Sequence, residues 1–186
     1  MIYFTSDFHL FHDLDSVYKN RGFDNAEKMS HKIIENLNKT VNKDDTLYVL
    51  GDLILTDDEK GLELLSLINC EDIHIILGNH DSESRIKKYS KLKNVKEIVY
   101  ATKLKYGRYL FYLSHYPAIT NYLTDKHLKG KLISLCGHTH TDNRFLEMEE
   151  KKILSYHVEV DAHNLYPISI DYIIEDIKEY LNNNYI

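Results

Sequence analysis

Ile73–Asp81, IHIILGNHD, is the stretch on which the reading of the chain turns. An apolar run of strand character, broken only by His74, stops at Gly78, and Asn79, His80 and Asp81 follow with no aliphatic side chain. A buried strand that empties into Asn-His-Asp places oxygen and nitrogen donors along one edge of a sheet. The same event recurs at four other places. IYFTS runs into Asp7-Phe8-His9, TLYVL into Gly51-Asp52, YLFYLS into His115, and LISLC into Gly137-His138-Thr139-His140. In layered α/β folds, ligands bind outside the carboxyl ends of the strands, which is where all five polar endings fall.

The segments between these endings read as helices early and strands late. Asp24 is expected to open a helix with Glu27 at capping-box spacing. Ala26, Met29, Ile33, Leu37 and Val41 share its inner face, with Lys28, Lys32, Glu35 and Lys39 outside. Thr56 and Glu59 give the same signal before Leu62, Leu65 and Ile68, and Ser82 is expected to cap a short basic helix ending near Tyr89. Val95–Leu104 and Tyr109–Ser114 read as two strands around Tyr106-Gly107. Tyr122–Leu128 reads as a short helix, Ser155–Val160 as a half-buried strand, and Asp171–Leu181 as a final helix. The pattern implies an α/β fold with an antiparallel portion, as two sheets packed face to face. The 186 residues fit one domain, 1–186.

Composition narrows the function classes. With 43% hydrophobic and 28% charged residues, the chain has the makeup of a globular protein with a real core. The net charge of −6 speaks against a general binder of long nucleic acid. No uncharged apolar run is long enough to span a bilayer, and no basic, apolar leader precedes Asp7 and His9. The two cysteines, Cys70 and Cys136, fit a reduced, cytoplasmic chain. Cys136 adjoins the His pair, but a small apolar strand-ending residue is the simpler reading. A monomer or homodimer is expected.

Asp7, His9, Asp52, Asn79, His115, His138 and His140 together offer carboxylate, amide oxygen and imidazole. That mixture suits a borderline divalent ion, manganese first, with iron, zinc, nickel or cobalt as alternatives. Seven donors exceed the needs of one tetrahedral ion and fit two ions that share a carboxylate. Asp52, alone at its strand end, is the candidate bridge. Two divalent ions bring +4 and the two aspartates return −2, leaving positive charge to hold a hydroxide and an anionic substrate. Ions about 3.5–4 Å apart clamp the attacking and leaving oxygens of an in-line displacement at phosphorus. His80 is then placed to assist the leaving group, and Asp81 to orient His80. His12 and Tyr116 are candidate substrate contacts, Tyr116 by stacking on a ring. Lys103, Lys105, Arg108, Lys126, Lys129 and Lys131 could hold an anion, although solvated lysines are the commoner case. His163 is a further residue that loop proximity could bring to the site.

These motifs, in this order from Asp7 to His140, resemble the calcineurin-like metallophosphoesterase superfamily, and within it the small bacterial and phage phosphoesterases. The opening Ser6-Asp7-Phe8-His9-Leu10-Phe11-His12 and the late Asp161–Pro167 are similar to segments of those relatives. The resemblance implies a four-layer sandwich of two mixed β-sheets flanked by helices. It implies one ion on Asp7, His9, Asp52 and His140, and another on Asp52, Asn79, His115 and His138, with His80 as the catalytic histidine. The implied reaction is hydrolysis of phosphate mono- or diesters, on a small phosphate ester or nucleotide, by a metal-bound hydroxide. A non-catalytic scaffold and a nuclease or nucleotide phosphodiesterase are the alternatives; scaffold relatives tend to lose the residue matching His80. Phe11 departs from the pattern, since relatives often have glycine there, and its ring is expected to narrow the entrance.

Overall fold

The computed structural model describes residues 1–118, 132–146 and 155–184, apart from the side chains of Leu181 and Asn184. Strands β1 (Ile2–Thr5), β2 (Thr46–Leu50), β3 (Asp72–Ile76) and β4 (Val95–Val99) run parallel, in that order, in one sheet. Helices α2 (Ala26–Thr40), α3 (Asp58–Ser66) and α4 (Glu83–Tyr89) connect them, and a short helix, α1 (Asp15–Tyr18), precedes α2. Parallel strands covered on both faces need near-continuous apolar runs, which β1 and β2 come nearest to, whereas the edge strand β4 carries exposed Lys96 and Glu97. The second sheet has the order β5 (Ala101–Tyr106), β6 (Tyr109–Ser114), β7 (Leu132–Cys136), β9 (Ser155–His157), β8 (Phe145–Leu146). Antiparallel β10 (Ile168–Ser169) closes the first sheet beside β1 and leads into α5 (Ile170–Asn184). Two mixed sheets flanked by helices therefore match the expected architecture.

Two cores hold the layers. Met29, Ile33 and Leu37 of α2 and Leu64 and Leu65 of α3 pack on Leu47, Val49, Ile73 and Ile75. Phe4, Leu50 and Ile76 of the first sheet meet Phe111, Leu113, Ile133 and Leu135 of the second, with Ile173, Ile174 and Ile177 of α5. Each such side chain contributes about 1.5–3 kcal/mol when fully buried.

Register aligns the polar endings. Thr5 lies opposite Val49 and Val49 opposite Ile75. In the other sheet Leu113 lies opposite Leu135 and Leu135 opposite Tyr156. Strands that run together also end together, so the donor-bearing loops leave both sheets at one edge. Ser6 bridges to Glu159, which joins the edges of the two sheets.

Several expectations shift. The helix caps are Asn25, accepting from the Lys28 N–H, and Asp57, accepting from the Lys60 N–H, one residue beyond Asp24 and Thr56. Ser82 takes the cap position but its hydroxyl pairs with Ser84 instead. Val95–Leu104 is two strands in different sheets, parted at Tyr100, which is 77% exposed. Unbroken β propensity cannot reveal a change of sheet. Ser155–Val160 is wholly buried, and its end turns into a 3-10 helix, Val160–His163. The short strands β8 and β10 carry too few residues to show a period. Tyr122–Leu128 lies outside the described residues.

Candidate metal centre

The loop after β1 is laced to the loop after β2. The backbone N–H groups of Asp7, His9 and Leu10 donate to the carbonyls of Gly51, Asp52 and Leu53, each at 3.0 Å. β1 ends at Thr5, and Asp7 and His9 both take left-handed backbone beyond it, φ 57° and 50°. Asp52, His138 and His140 do the same, at 56°, 76° and 50°. Such conformations cost a residue with a Cβ about 1–2 kcal/mol and persist only where surrounding contacts enforce them. Gly137 is a glycine because a Cβ there would meet the Asp7 carboxylate and the Ser6 hydroxyl.

The donors converge on Asp52. Its Oδ2 lies 3.5 Å from His9 Nε2 and 3.5 Å from His115 Nε2. Asp7 Oδ1 lies 3.9 Å from His9 Nε2 and 3.7 Å from His140 Nε2. His115 Nε2 is 3.0 Å from Asn79 Oδ1 and 3.2 Å from His138 Nδ1. All seven expected donors therefore lie in one cluster. Atoms that share an ion at about 2.0–2.2 Å from each stand about 3–4 Å apart, so the spacing fits. Asp7, His9 and His140, and likewise Asp7, Asp52 and His115, bring their ligand atoms close enough to hold a metal ion.

Two atoms argue most directly for a cation. Asp7 Oδ1 and His9 Nε2 are buried and have no hydrogen-bond partner, whereas buried polar atoms almost always find one. Burial lifts the Asp7 carboxyl to about 6 and lowers His9 to about 4. His9 is thus neutral at pH 7, with a lone pair to offer. His115 Nδ1 lies 2.8 Å from the Leu50 carbonyl. A carbonyl only accepts, so Nδ1 carries the proton and Nε2 is the free acceptor.

His80 stands beside the cluster. Its N–H donates to Asp52 Oδ1 at 2.9 Å, and its half-exposed ring puts Nε2 3.9 Å from Asp52 Oδ2. Tyr116, 50% exposed, sets its ring against those of His115 and His138, with centroids 5.1 and 4.8 Å apart.

Other expectations are corrected. Asp81 does not steer His80: its buried carboxylate accepts from the N–H groups of Asp52 and Gly78, each at 2.9 Å, and from Tyr89 Oη at 3.0 Å. His12 sits behind His9, Nδ1 to Nδ1 at 3.2 Å, which suits holding that ring better than meeting a substrate. Phe11 does not narrow the entrance. Its ring is buried in the helix-side core, and its φ of 58° is one that glycine adopts freely. Lys103 and Lys105 lie opposite Tyr112 and Leu110, about 10 and 17 Å from His115 at the usual strand rise, and Arg108 lies farther out in the hairpin turn. Lys126, Lys129 and Lys131 fall outside the described residues. His163 is buried with Nε2 2.8 Å from the His157 carbonyl, away from the donors. Cys136 is a buried strand residue whose thiol pKa burial pushes up.

Four supporting residues carry no donor-like signal in the sequence. Arg21, part of no motif, donates to the carbonyls of Asp7 and Phe8 at 2.9 and 3.0 Å. Asp161, in a segment singled out without a role for it, lies 3.0 Å from His140 Nδ1. Glu159, fully buried, accepts from the N–H groups of Thr139 and Thr141 and so ties down the His138–His140 loop. Its place between Val158 and Val160 was the available clue. Arg85 donates to the His80 carbonyl at 2.8 Å.

A family model, the calcineurin-like phosphoesterase superfamily domain, matches residues 1–167. The uncharacterized protein MJ1445 of Methanocaldococcus jannaschii is 34% identical over 184 residues, covering 96% of this chain and 92% of that protein. Among solved structures, AQ665 of Aquifex aeolicus, of unknown function, is similar with a TM-score of 0.68 at 23% identity, over 94% of this chain and 98% of that one. The E. coli phosphoesterase YfcE is similar with a TM-score of 0.50 at 18% identity, over 84% and 77%. Both structural likenesses speak to the fold alone. With two mixed sheets, a donor cluster at their common edge and a family match over most of its length, this chain belongs to the calcineurin-like phosphoesterase superfamily.

Proposed function

We propose that the protein is a hydrolase of small phosphate mono- or diesters that works with two divalent transition-metal ions, manganese first among them. The observation that carries this reading is Asp52 Oδ2, equidistant at 3.5 Å from an imidazole nitrogen on each side. A carboxylate so placed can serve two positions at once. Asp7, His9 and His140 would hold one ion with it, and Asn79, His115 and His138 the other. When bound, such ions supply Lewis acidity, both to ready a water for attack at neutral pH and to offset charge on the phosphoryl oxygens.

The protein's own residues do the rest. Asp52 fixes the backbone of His80, so the ring stands over the shared carboxylate with an open side toward solvent. From there it can give a proton to the departing oxygen, a role commonly worth about 10²–10⁴-fold. Tyr116 offers an exposed ring to the organic part of the ester. The net charge of −6 favours a small ester over a long polyanion, whose approach it would oppose.

The test is turnover of bis-p-nitrophenyl phosphate and p-nitrophenyl phosphate by purified, folded protein with manganese, nickel, cobalt or zinc. Hydrolysis that disappears on chelation and returns on reloading is expected. Absence of turnover with every metal would overturn the assignment.

A further inference from the structure

Three imidazoles of the centre are backed by different partners. His115 Nδ1 meets the Leu50 carbonyl, and His9 Nδ1 meets His12. Of the imidazoles of this centre, only that of His140 is backed on Nδ1 by a carboxylate among the described residues, Asp161 Oδ2 at 3.0 Å. Asp161 is itself gripped by Arg21, with Nε to Oδ1 and Nη2 to Oδ2 both at 2.7 Å. This is the two-pronged geometry in which Arg–carboxylate pairs are strongest and most directional. The Arg21 side chain is 3% exposed and also holds the carbonyls of Asp7 and Phe8. One buried guanidinium thus ties the loop carrying Asp7 to the residue behind His140.

We infer that Asp161, clamped by Arg21, is a positioning residue for His140 that sets the metal affinity of the position shared by Asp7, His9 and His140, and not of the position at His115 and His138. A carboxylate can only accept, so it keeps the proton on Nδ1 and leaves the Nε2 lone pair facing Asp7 Oδ1. It also raises the basicity of the ring and removes its rotational freedom before an ion arrives. Among the described residues His138 has no such backing: its Nδ1 faces His115, and its backbone N–H donates to Asp7 Oδ2 at 3.0 Å. The inference rests on the proposed metal centre, and the experiment separates the two.

Manganese is titrated calorimetrically into the metal-stripped full chain and into three variants: Asp161→Ala, Asp161→Asn, and Asp161→Ala combined with Arg21→Met. Asp161→Ala should weaken one of two binding events by about 10–100-fold and leave the other unchanged. Asp161→Asn, whose amide oxygen still accepts from Nδ1–H, should recover part of the loss. The double variant should stay weak, because His140 is still unheld. Wild-type binding by Asp161→Ala would overturn the inference. So would recovery in the double variant, which would trace the loss to the unpaired Arg21 charge. If Asp161→Ala does not fold, Asp161→Asn carries the titration, together with the ¹⁵N spectrum of His140 in the zinc-loaded wild type. An Nδ1–H tautomer is expected there, and metal on Nδ1 overturns the inference. Wild-type protein that takes up no manganese would overturn the metal centre itself, before any variant is compared.

Discussion

Asp81 separates a loop clamp from a catalytic partner. Its carboxylate, 7% exposed, accepts from the N–H groups of Asp52 and Gly78 at 2.9 Å and from Tyr89 Oη at 3.0 Å, with a longer contact to Leu53 N–H at 3.4 Å. Hydrogen bonds to a charged group contribute about 1.5–3 kcal/mol each, and a buried donor left unpaired costs about 1–3 kcal/mol. Asp81→Ala strands three good donors at once. Because neighbouring terms do not add fully, the expected loss is about 3–5 kcal/mol, similar to breaking a buried charged pair. For a chain of this size that corresponds to a fall of about 6–20 °C in Tm. Asp81→Asn keeps one acceptor oxygen and the shape, and should lose about half as much. Urea unfolding followed by circular dichroism, alongside turnover of p-nitrophenyl phosphate by the folded fraction, reads both quantities. A stability loss below about 1 kcal/mol with a hundredfold fall in kcat would refute the clamp and restore Asp81 as the partner of His80.

Three other outcomes are expected. His80→Ala should keep its metal and its Tm while kcat falls by about 10²–10⁴-fold, read from turnover at matched metal content. Asp52→Asn should weaken both metal positions together, because one oxygen faces both, and metal analysis after gel filtration should find less than half the wild-type manganese. Acid should loosen the His138–His140 loop. Burial alone would raise the Glu159 carboxyl, but the His157, Thr141 and Thr139 hydrogen bonds outweigh it and hold the group below its usual 4.5. Asp161 is likewise held below its usual 3.8 by His140 and Arg21. Folded values below the unfolded ones mean stability that is present above about pH 4.5 and lost as pH falls through the folded values. Urea midpoints between pH 6 and 3 should drop steeply in the wild type and less so in Glu159→Gln; equal slopes would count against this assignment.

The donors were legible because chemistry and position coincide in them. A strand end is marked by an abrupt loss of apolar residues, and Asp, Asn or His at five such ends is a pattern a single chain can display. The α2 face was equally plain: Ala26, Met29, Ile33 and Leu37 are all buried, as their spacing implied. The misplaced caps show a limit of local signals. Asp24 and Asn25, or Thr56 and Asp57, are each able to cap, and packing of the helix face decides which one does. Asp81 shows another limit. Its neighbour in the chain is His80, but its partners are backbone groups of Asp52 and Gly78, brought near by the parallel pairing of β2 and β3.

By itself the sequence determined the alternation of elements, the donor set and the family, since these depend on residue type, order and period. Only the tertiary structure decided what stands behind each donor. Arg21 and Asp161 are 140 positions apart yet meet at 2.7 Å, and no periodicity records such a meeting. The left-handed backbone at Asp7, His9 and Asp52 belongs to the same class. It is imposed by contacts between the two loops, and strain enforced from outside a segment leaves no mark in the segment's own residues.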